Sequence, residues 1–233
     1  MKYKILFVCP LFLMALAGCS EGYEKSGGQW VWYDDWNQGS GDRPMFYLDD
    51  AEGELTELED ARYAKTADEV YYRGAKLYEA DPASFELLEY PFSRDKHKVY
   101  CGTMSLVDAD PDHFKILHND KHIGTHSQKH VFKEVYGDHP ALDENGRAII
   151  KSTWSKDDQH IYHGYGIVKG ADVNTFKPLT ATYGKDENNV YYETHLIDGA
   201  DTATFEASSN HAAEDKNTRF NDGEPVGPPR IKD

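Results

Sequence analysis

A short motif of one β-branched residue followed by two mostly aromatic residues recurs along this chain at a nearly constant interval. Successive copies start 29, 32, 30 and 29 residues apart, at Val70-Tyr71-Tyr72, Val99-Tyr100-Cys101, Val131-Phe132-Lys133, Ile161-Tyr162-His163 and Val190-Tyr191-Tyr192. A period of this length is typical of repeat architectures, in which each unit buries its apolar face only by stacking on its neighbours. The sequence therefore predicts a stack of similar units.

Four of these copies share further residues at fixed distances. An aromatic residue lies seven positions before each copy, at Tyr63, Phe92, Trp154 and Tyr183. A phenylalanine lies fifteen positions after each copy and an aspartate four residues before that phenylalanine, as Asp81 with Phe85, Asp110 with Phe114, Asp172 with Phe176 and Asp201 with Phe205. A sixth, truncated copy begins at Asp215, and the copy at residues 122–150 is degenerate because it lacks the aspartate and phenylalanine pair.

The residue types within a copy predict a β-hairpin and a short turn. β-Branched and aromatic residues favour strands, and the polar tetrad Asp186-Glu187-Asn188-Asn189 before Val190 is typical of a turn between two strands. A third short strand is predicted to follow, and Asp81-Pro82 then resembles a helix N-cap with proline at the first helical position. We expect an all-β domain of tandem hairpin or meander repeats with short helical turns, each carrying one phenylalanine into the core. A closed propeller is the alternative, although 29 residues is short against the roughly 40 of a known blade.

The repeated segments resemble a known family. Three segments are similar to the repeats of the DKNYY family of bacterial proteins. They are Asp215-Lys216-Asn217, the tetrad before Val190-Tyr191-Tyr192, and Gly199-Ala200-Asp201 with Thr204-Phe205. The similarity covers about residues 63–226. It implies the repeat architecture and, since many members are predicted lipoproteins, a place in the cell envelope. It implies no particular activity.

The N-terminus has the features of a lipoprotein signal. Two lysines precede an apolar run from Ile5 to Ala17, which is shorter than the roughly 20 residues of a membrane-spanning helix. The sequence Leu16-Ala17-Gly18-Cys19 resembles the bacterial lipobox, which predicts removal of residues 1–18 and attachment of diacylglycerol to the sulfur of Cys19. Ser20 rather than aspartate follows Cys19, so the sorting rule for such lipoproteins predicts the outer membrane, on either its periplasmic or its surface face.

The remaining chain is divided by composition into four parts. Residues 19–29 are predicted to be the lipidated cysteine and a flexible tether, 30–62 an N-terminal aromatic cap region, 63–226 the repeat domain and 227–233 a C-terminal tail. We expect the aromatic cluster from Trp30 to Tyr33 to cover the open end of the stack. An exposed aromatic surface for glycan or protein is the alternative.

Few residues outside the repeat pattern suggest chemistry. The candidate metal ligands are four histidines spaced by four residues, namely His118, His122, His126 and His130. The nearby Lys121 and Lys129 disfavour a dication. A polar surface is therefore the preferred interpretation of these histidines. Cys101 is the one thiol that remains after processing, and it occupies a repeat position held by tyrosine in other copies. We therefore predict no metal and no cofactor.

Charge and repetition restrict the function. A formal net charge of −16 excludes a general nucleic-acid binder, because phosphate binding needs a basic face. No hydrolase, zinc-protease or P-loop motif occurs, and stacked repeats offer extended binding surfaces more often than active sites. We predict a non-catalytic, protein-binding envelope lipoprotein, in its most concrete form an immunity or inhibitor protein against a delivered basic toxin. The alternatives are a structural or cation-binding envelope lipoprotein and an enzyme acting on envelope polymer.

Overall fold

The described part of the chain consists of short β-strands connected by turns. A computed structural model describes residues 21–35, 39, 41–48, 51–117, 125–126, 150–151 and 153–230, and within them it contains 25 strands and no helix. In chain order the strands are β1 Gly22–Ser26, β2 Gln29–Tyr33, β3 Met45–Tyr47, β4 Thr56–Glu57, β5 Tyr63–Lys65, β6 Val70–Tyr72, β7 Ala75–Lys76, β8 Glu86–Leu87, β9 Phe92–Arg94, β10 Val99–Cys101, β11 Met104–Ser105, β12 Lys115–Leu117, β13 Thr125–His126, β14 Ile150–Lys151, β15 Trp154–Lys156, β16 Ile161–His163, β17 Gly166–Ile167, β18 Lys177–Pro178, β19 Tyr183–Lys185, β20 Val190–Tyr192, β21 His195–Leu196, β22 Glu206–Ala207, β23 Ala212–Glu214, β24 Arg219–Asn221 and β25 Glu224–Gly227.

Five four-stranded antiparallel meanders make up the repeat domain. They are unit 1 (β4–β7), unit 2 (β8–β11), unit 3 (β12 and β15–β17), unit 4 (β18–β21) and unit 5 (β22–β25), and β1–β3 form a separate cap sheet. The prediction of an all-β repeat of meanders is confirmed. Each unit has one strand more than the hairpin and third strand that the sequence predicted, because the residues directly after the conserved phenylalanine pair with the second strand, as Glu86 does with Arg94.

The predicted helical turns are single turns that do not continue into helix. The carbonyl of Asp81 accepts a hydrogen bond from the amide of Ser84 at 3.3 Å, and the strand Glu86–Leu87 begins two residues later. In the equivalent turn the carbonyl of Asp172 accepts from the amides of both Thr175 and Phe176, at 3.3 and 2.9 Å, before the chain returns to a sheet. The carboxylate of Asp81 accepts from the amide of Ala83 at 3.1 Å and so caps this single turn, as the sequence predicted.

The degenerate copy lies between the first and second strands of unit 3. Lys115 pairs with Lys156 and Leu117 pairs with Trp154, so residues 118–153 are inserted in the sequence between two paired strands. Within this insertion the described residues form one pair of two-residue strands, β13 and β14. The insertion lacks the aspartate and phenylalanine by which the other units join their neighbours, and β12 pairs directly across it.

Alternation along the third strand of each unit explains how the sheets stack. Val70 and Tyr72 point to one face, where they pack with Leu77 and Phe85, whereas Tyr71 points to the other face and packs against the cap sheet. The same middle position places one side chain in the core of the preceding unit, namely Tyr100 in unit 1, Tyr162 in unit 2, Tyr191 in unit 3 and Phe220 in unit 4. Each core is thus shared by two consecutive units, as a stack of dependent repeats requires.

A column of small residues makes room for the conserved phenylalanines. A Cβ on Gly184 would lie 2.4 Å from Cζ of Phe176. The equivalent middle position of the second strand also carries a small side chain in the other units, as Ala64, Ser93, Ser155 and Ala213. This column follows from the close approach of an aromatic ring to the backbone.

The two ends of the stack are covered in different ways. At the N-terminal end Trp32 of the cap sheet is fully buried against unit 1, and the hydroxyl of Tyr23 donates to the carbonyl of Arg62 at 2.9 Å. At the C-terminal end unit 5 has Arg219-Phe220-Asn221 in place of valine and two tyrosines, so only Phe220 faces a neighbour. The outer face of this sheet is polar and open to solvent, as expected of a terminal repeat. A closed propeller has no such free face, so the alternative to an open stack is wrong.

Candidate functional site

Several of the predicted site residues lie outside the described part of the chain. These are Cys19, His118, His122 and His130, while His126 lies on the two-residue strand β13, of which only the backbone is described. Among the described residues, no group of three or more histidine, cysteine or acidic side chains is arranged to hold a metal ion. The described residues also include no helix with the length and apolarity needed to cross a membrane.

The most unusual polar groups of the described chain are four buried aspartates, one in each of units 2 to 5. Asp95, Asp157, Asp186 and Asp215 begin the turns between the second and third strands, and each is at most 5% exposed. The Oδ1 atom of Asp186 accepts hydrogen bonds from the amides of Asn188 at 2.8 Å and Asn189 at 2.7 Å. These two bonds form the turn that the sequence predicted.

The second carboxylate oxygen joins consecutive units, which sequence reasoning did not anticipate. Oδ2 of Asp186 accepts from the amide of Asp172 at 3.0 Å and from the hydroxyl of Tyr191 at 3.0 Å. Asp95 and Asp157 accept the equivalent four bonds. Asp215 accepts three, because Phe220 stands where the other units have tyrosine and offers no hydroxyl. The fixed spacing of five residues between aspartate and tyrosine is the signal that could have revealed this contact.

These contacts determine the charge of the aspartates. Burial raises the pKa of Asp186, but the amide donors of Asp172, Asn188 and Asn189 outweigh burial and lower the pKa below its ordinary value. The pKa of Asp157 is lowered by the same balance. Asp157 and Asp186 therefore remain ionised at neutral pH. All four aspartates accept hydrogen bonds from backbone amides of the fold.

A row of basic side chains is used in a similar way. The Nζ atoms of Lys65, Lys156 and Lys185 donate to the carbonyls of Pro82, Val173 and Thr202 at 2.7, 2.8 and 2.8 Å, and Nη1 of Arg94 donates to the carbonyl of Pro111 at 2.6 Å. In every case the acceptor lies 17 residues after the donor, in the turn before the next unit. These cations also stabilise the stack rather than a ligand.

Cys101 is sealed in the core of unit 2. Its side chain is fully buried and forms no disulfide with another described residue. It lies at the position that Tyr72 and Tyr192 occupy in units 1 and 4. A thiol surrounded by apolar side chains is poorly ionised and unreactive.

Units 4 and 5 enclose an open cavity of about 270 Å³. Its lining includes three acidic residues, Glu193, Asp222 and Glu224, together with Leu196. The hydroxyl of Tyr192 donates to Oδ1 of Asp222 at 2.9 Å, and Nδ1 of His211 donates to the same oxygen at 2.7 Å.

The pKa values of Glu193 and Asp222, two of the acids that line the cavity, are shifted in opposite directions. Burial raises the pKa of Glu193, and the charge of Asp222 adds to the effect. Burial also acts to raise the pKa of Asp222, but the hydrogen bonds from His211 and Tyr192 outweigh it and lower the pKa. A pair of this kind is a pattern seen in general acid–base sites.

The fold and its buried contacts define a β-repeat protein whose four-stranded units are joined by ionised aspartates and shared aromatic cores. The family model described as the DKNYY family matches residues 63–224, and the chain belongs to this family. The match confirms the resemblance seen in the sequence. Comparisons with curated proteins and with solved structures gave no significant match.

Proposed function

We propose that this protein is a non-catalytic lipoprotein of the cell envelope that binds another protein through its repeat stack. One observation carries the proposal. The buried aspartates and the basic row, which are the repeated polar groups of the stack, are engaged within the fold, as Asp186 and Lys185 illustrate. The stack therefore leaves an acidic surface as its main means of interaction, in a chain with a net charge of −16.

The most concrete form of the proposal is an immunity or inhibitor protein that covers a basic toxin delivered by a competitor. An acidic surface accelerates encounter with a basic partner by electrostatic steering and disfavours acidic competitors. Lipid on Cys19 would hold the protein at the outer membrane, where a delivered toxin arrives. Strand β1 begins at Gly22, so only Ser20 and Glu21 of the predicted tether at residues 19–29 would separate the lipid from the cap sheet.

Affinity capture tests this proposal. The full lipidated chain, immobilised in detergent, is exposed at low salt to envelope and secreted proteins of competing strains. We expect one basic protein to be retained in stoichiometric amount and released by high salt. A matched bait with the exposed acids Glu187, Asp198 and Glu224 replaced by glutamine or asparagine should retain less of it. Retention of no protein, or equal retention by both baits at every salt concentration, would contradict the proposal.

A second candidate function, an enzyme acting on envelope polymer, is supported by the opposite pKa shifts of Glu193 and Asp222 beside a cavity. The purified full chain would be incubated with isolated cell-wall material and the soluble fragments measured. Release that is abolished by Glu193→Gln would favour the enzyme. Absence of release, or release that Glu193→Gln leaves unchanged, favours the binding protein.

A further inference from the structure

The exposed apolar side chains of the repeat domain lie along one edge. Six large apolar residues in the described chain are at least 38% exposed, and two of them, Met45 and Tyr47, belong to the cap sheet. The other four lie within the fourth strand of a unit or two residues after it: Tyr78, Val107, Leu196 and Val226.

The topology places these four residues on the same side of the stack. In every unit the strands follow one another in order, so the fourth strand is always an outer strand of its sheet. Tyr78 and Val107 occupy equivalent positions, two residues after the fourth strands of units 1 and 2. The amide of Val107 donates to the carbonyl of Tyr165 at 3.2 Å, which joins this edge of unit 2 to unit 3. Sheets packed face to face are about 10 Å apart, so Tyr78 and Val107 lie on neighbouring units, as do Leu196 and Val226. Unit 3 between the two pairs has exposed Lys169 at the position equivalent to Tyr78, so the four residues form an interrupted row.

Acidic side chains accompany the apolar ones. Exposed Glu79 and Asp108 directly follow Tyr78 and Val107. Exposed Asp198 and Glu224 lie two residues from Leu196 and Val226 respectively. Each apolar residue of the row thus has a carboxylate near it in the sequence. Glu79 is ion-paired with Lys98, so the negative charge of the row comes mainly from Asp108, Asp198 and Glu224.

The opposite edge of the same sheets shows that this pattern is not a general property of the stack. The first strands of the five units begin with exposed polar or charged residues, namely Thr56, Glu86, Lys115, Lys177 and Glu206. Charged side chains on an edge strand are the usual protection against association. Apolar exposure that is confined to the fourth-strand edge marks an interaction surface.

We infer that the fourth-strand edge, defined by Tyr78, Val107, Leu196 and Val226 with their neighbouring acids, docks a segment of a partner protein that carries alternating apolar and basic residues. The inference rests on the proposed protein-binding function and specifies its surface and the chemistry of its partner. Apolar side chains of the segment would cover the row, and lysine or arginine side chains would meet the carboxylates. The negative charge of the edge disfavours an anionic membrane as its occupant.

A peptide titration with matched variants tests this inference. The probe is a synthetic peptide of alternating leucine and lysine, titrated calorimetrically into the full chain in detergent. We expect it to bind the native chain, and Leu196→Ser with Val226→Ser to weaken binding at least tenfold. Met45→Ser with Tyr47→Ser, which removes equally exposed apolar side chains of the cap sheet, should leave the affinity unchanged.

The peptides also separate charge from shape. A lysine and serine peptide should bind at least tenfold more weakly than the leucine and lysine peptide, and a leucine and glutamate peptide should not bind. Equal weakening by both double variants, or no weakening by either, would overturn the inference. If affinity capture yields a basic protein that binds the Leu196→Ser, Val226→Ser variant as well as the native chain, this surface is wrong and the proposed function stands. If capture yields no protein, the proposed function itself fails.

Discussion

Replacing Asp186 with asparagine tests whether the buried aspartates hold the units together. Asparagine keeps the size of the side chain, and its carbonyl oxygen can still accept from Asn188 and Asn189. Its NH₂ group takes the place of Oδ2 and is a donor, so the amide of Asp172 loses its acceptor and the hydroxyl of Tyr191 can no longer donate to a charged oxygen. The substitution therefore leaves the turn intact and removes its link to the preceding turn at Asp172.

The expected loss follows from the two missing bonds. A hydrogen bond to a charged group contributes about 1.5–3 kcal/mol, so two of them amount to about 3 kcal/mol or more. This is a large part of the roughly 5–15 kcal/mol that stabilises a typical domain. Asp215→Asn should cost about half as much, because Oδ2 of Asp215 accepts only from the amide of Asp201, and Phe220 provides no hydroxyl.

Urea unfolding followed by circular dichroism measures both losses, and Glu187→Gln in the same turn is the control because Glu187 is exposed. Amide hydrogen exchange at Asp172 should accelerate in Asp186→Asn.

The folded-state pKa of Asp186 lies below the unfolded value of about 3.9. Its stabilisation is therefore complete above that pH and is lost as the pH falls through the folded pKa. The difference in the free energy of unfolding between the native chain and Asp186→Asn should therefore shrink as the pH falls. A loss under 1 kcal/mol, or an equal loss for Asp215→Asn, would refute the reasoning.

Three further substitutions have definite expected outcomes. Gly184→Ala should lower the free energy of unfolding in urea by about 1–3 kcal/mol, because the new Cβ would lie 2.4 Å from the ring of Phe176. The opposing gain from a less flexible unfolded chain is under about 1 kcal/mol. Gly22→Ala, whose new Cβ would have no atom within 4 Å, is the control. Ser155→Ala should leave the free energy of unfolding unchanged or raise it, since this buried hydroxyl has no hydrogen-bond partner among the residues that the structure describes. A loss above about 1 kcal/mol would contradict that assignment. Glu193→Gln should raise the free energy of unfolding at pH 7 but not at pH 4. The raised folded-state pKa of Glu193 means that its ionised form destabilises the native state once the pH exceeds that pKa. Equal effects at both pH values would disprove the proposed burial of the Glu193 carboxylate.

The repeat and its hairpins could be predicted because they depend on local residue types. The third strand was recognisable from the β-branched and aromatic residues of Val190-Tyr191-Tyr192, and the turn before it from Asp186 and Asn189. Phe176 was expected in the core and lies there. Each of these features is determined within about ten residues of sequence.

The features that the sequence did not reveal depend on contacts between units. The first strand of each unit is two or three residues long and has no alternating pattern, so Glu86–Leu87 was not recognised. The copy at residues 122–150 was recognised as degenerate, but the pairing of Leu117 with Trp154 on either side of it was not. The second role of Asp186 was missed because its partner Asp172 belongs to a different turn, 14 residues away. Spacing alone does not say which distant groups meet.

We propose that this protein forms a lasting complex with a basic protein and leaves it chemically unchanged. A titration of the captured partner into the full chain at several salt concentrations, with the mass of both proteins in the complex followed, tests this proposal. We expect a complex of fixed stoichiometry, with both chains intact and an affinity that falls steadily as salt screens the acidic surface. A partner that is cleaved or released in modified form, or an affinity independent of salt, would contradict it.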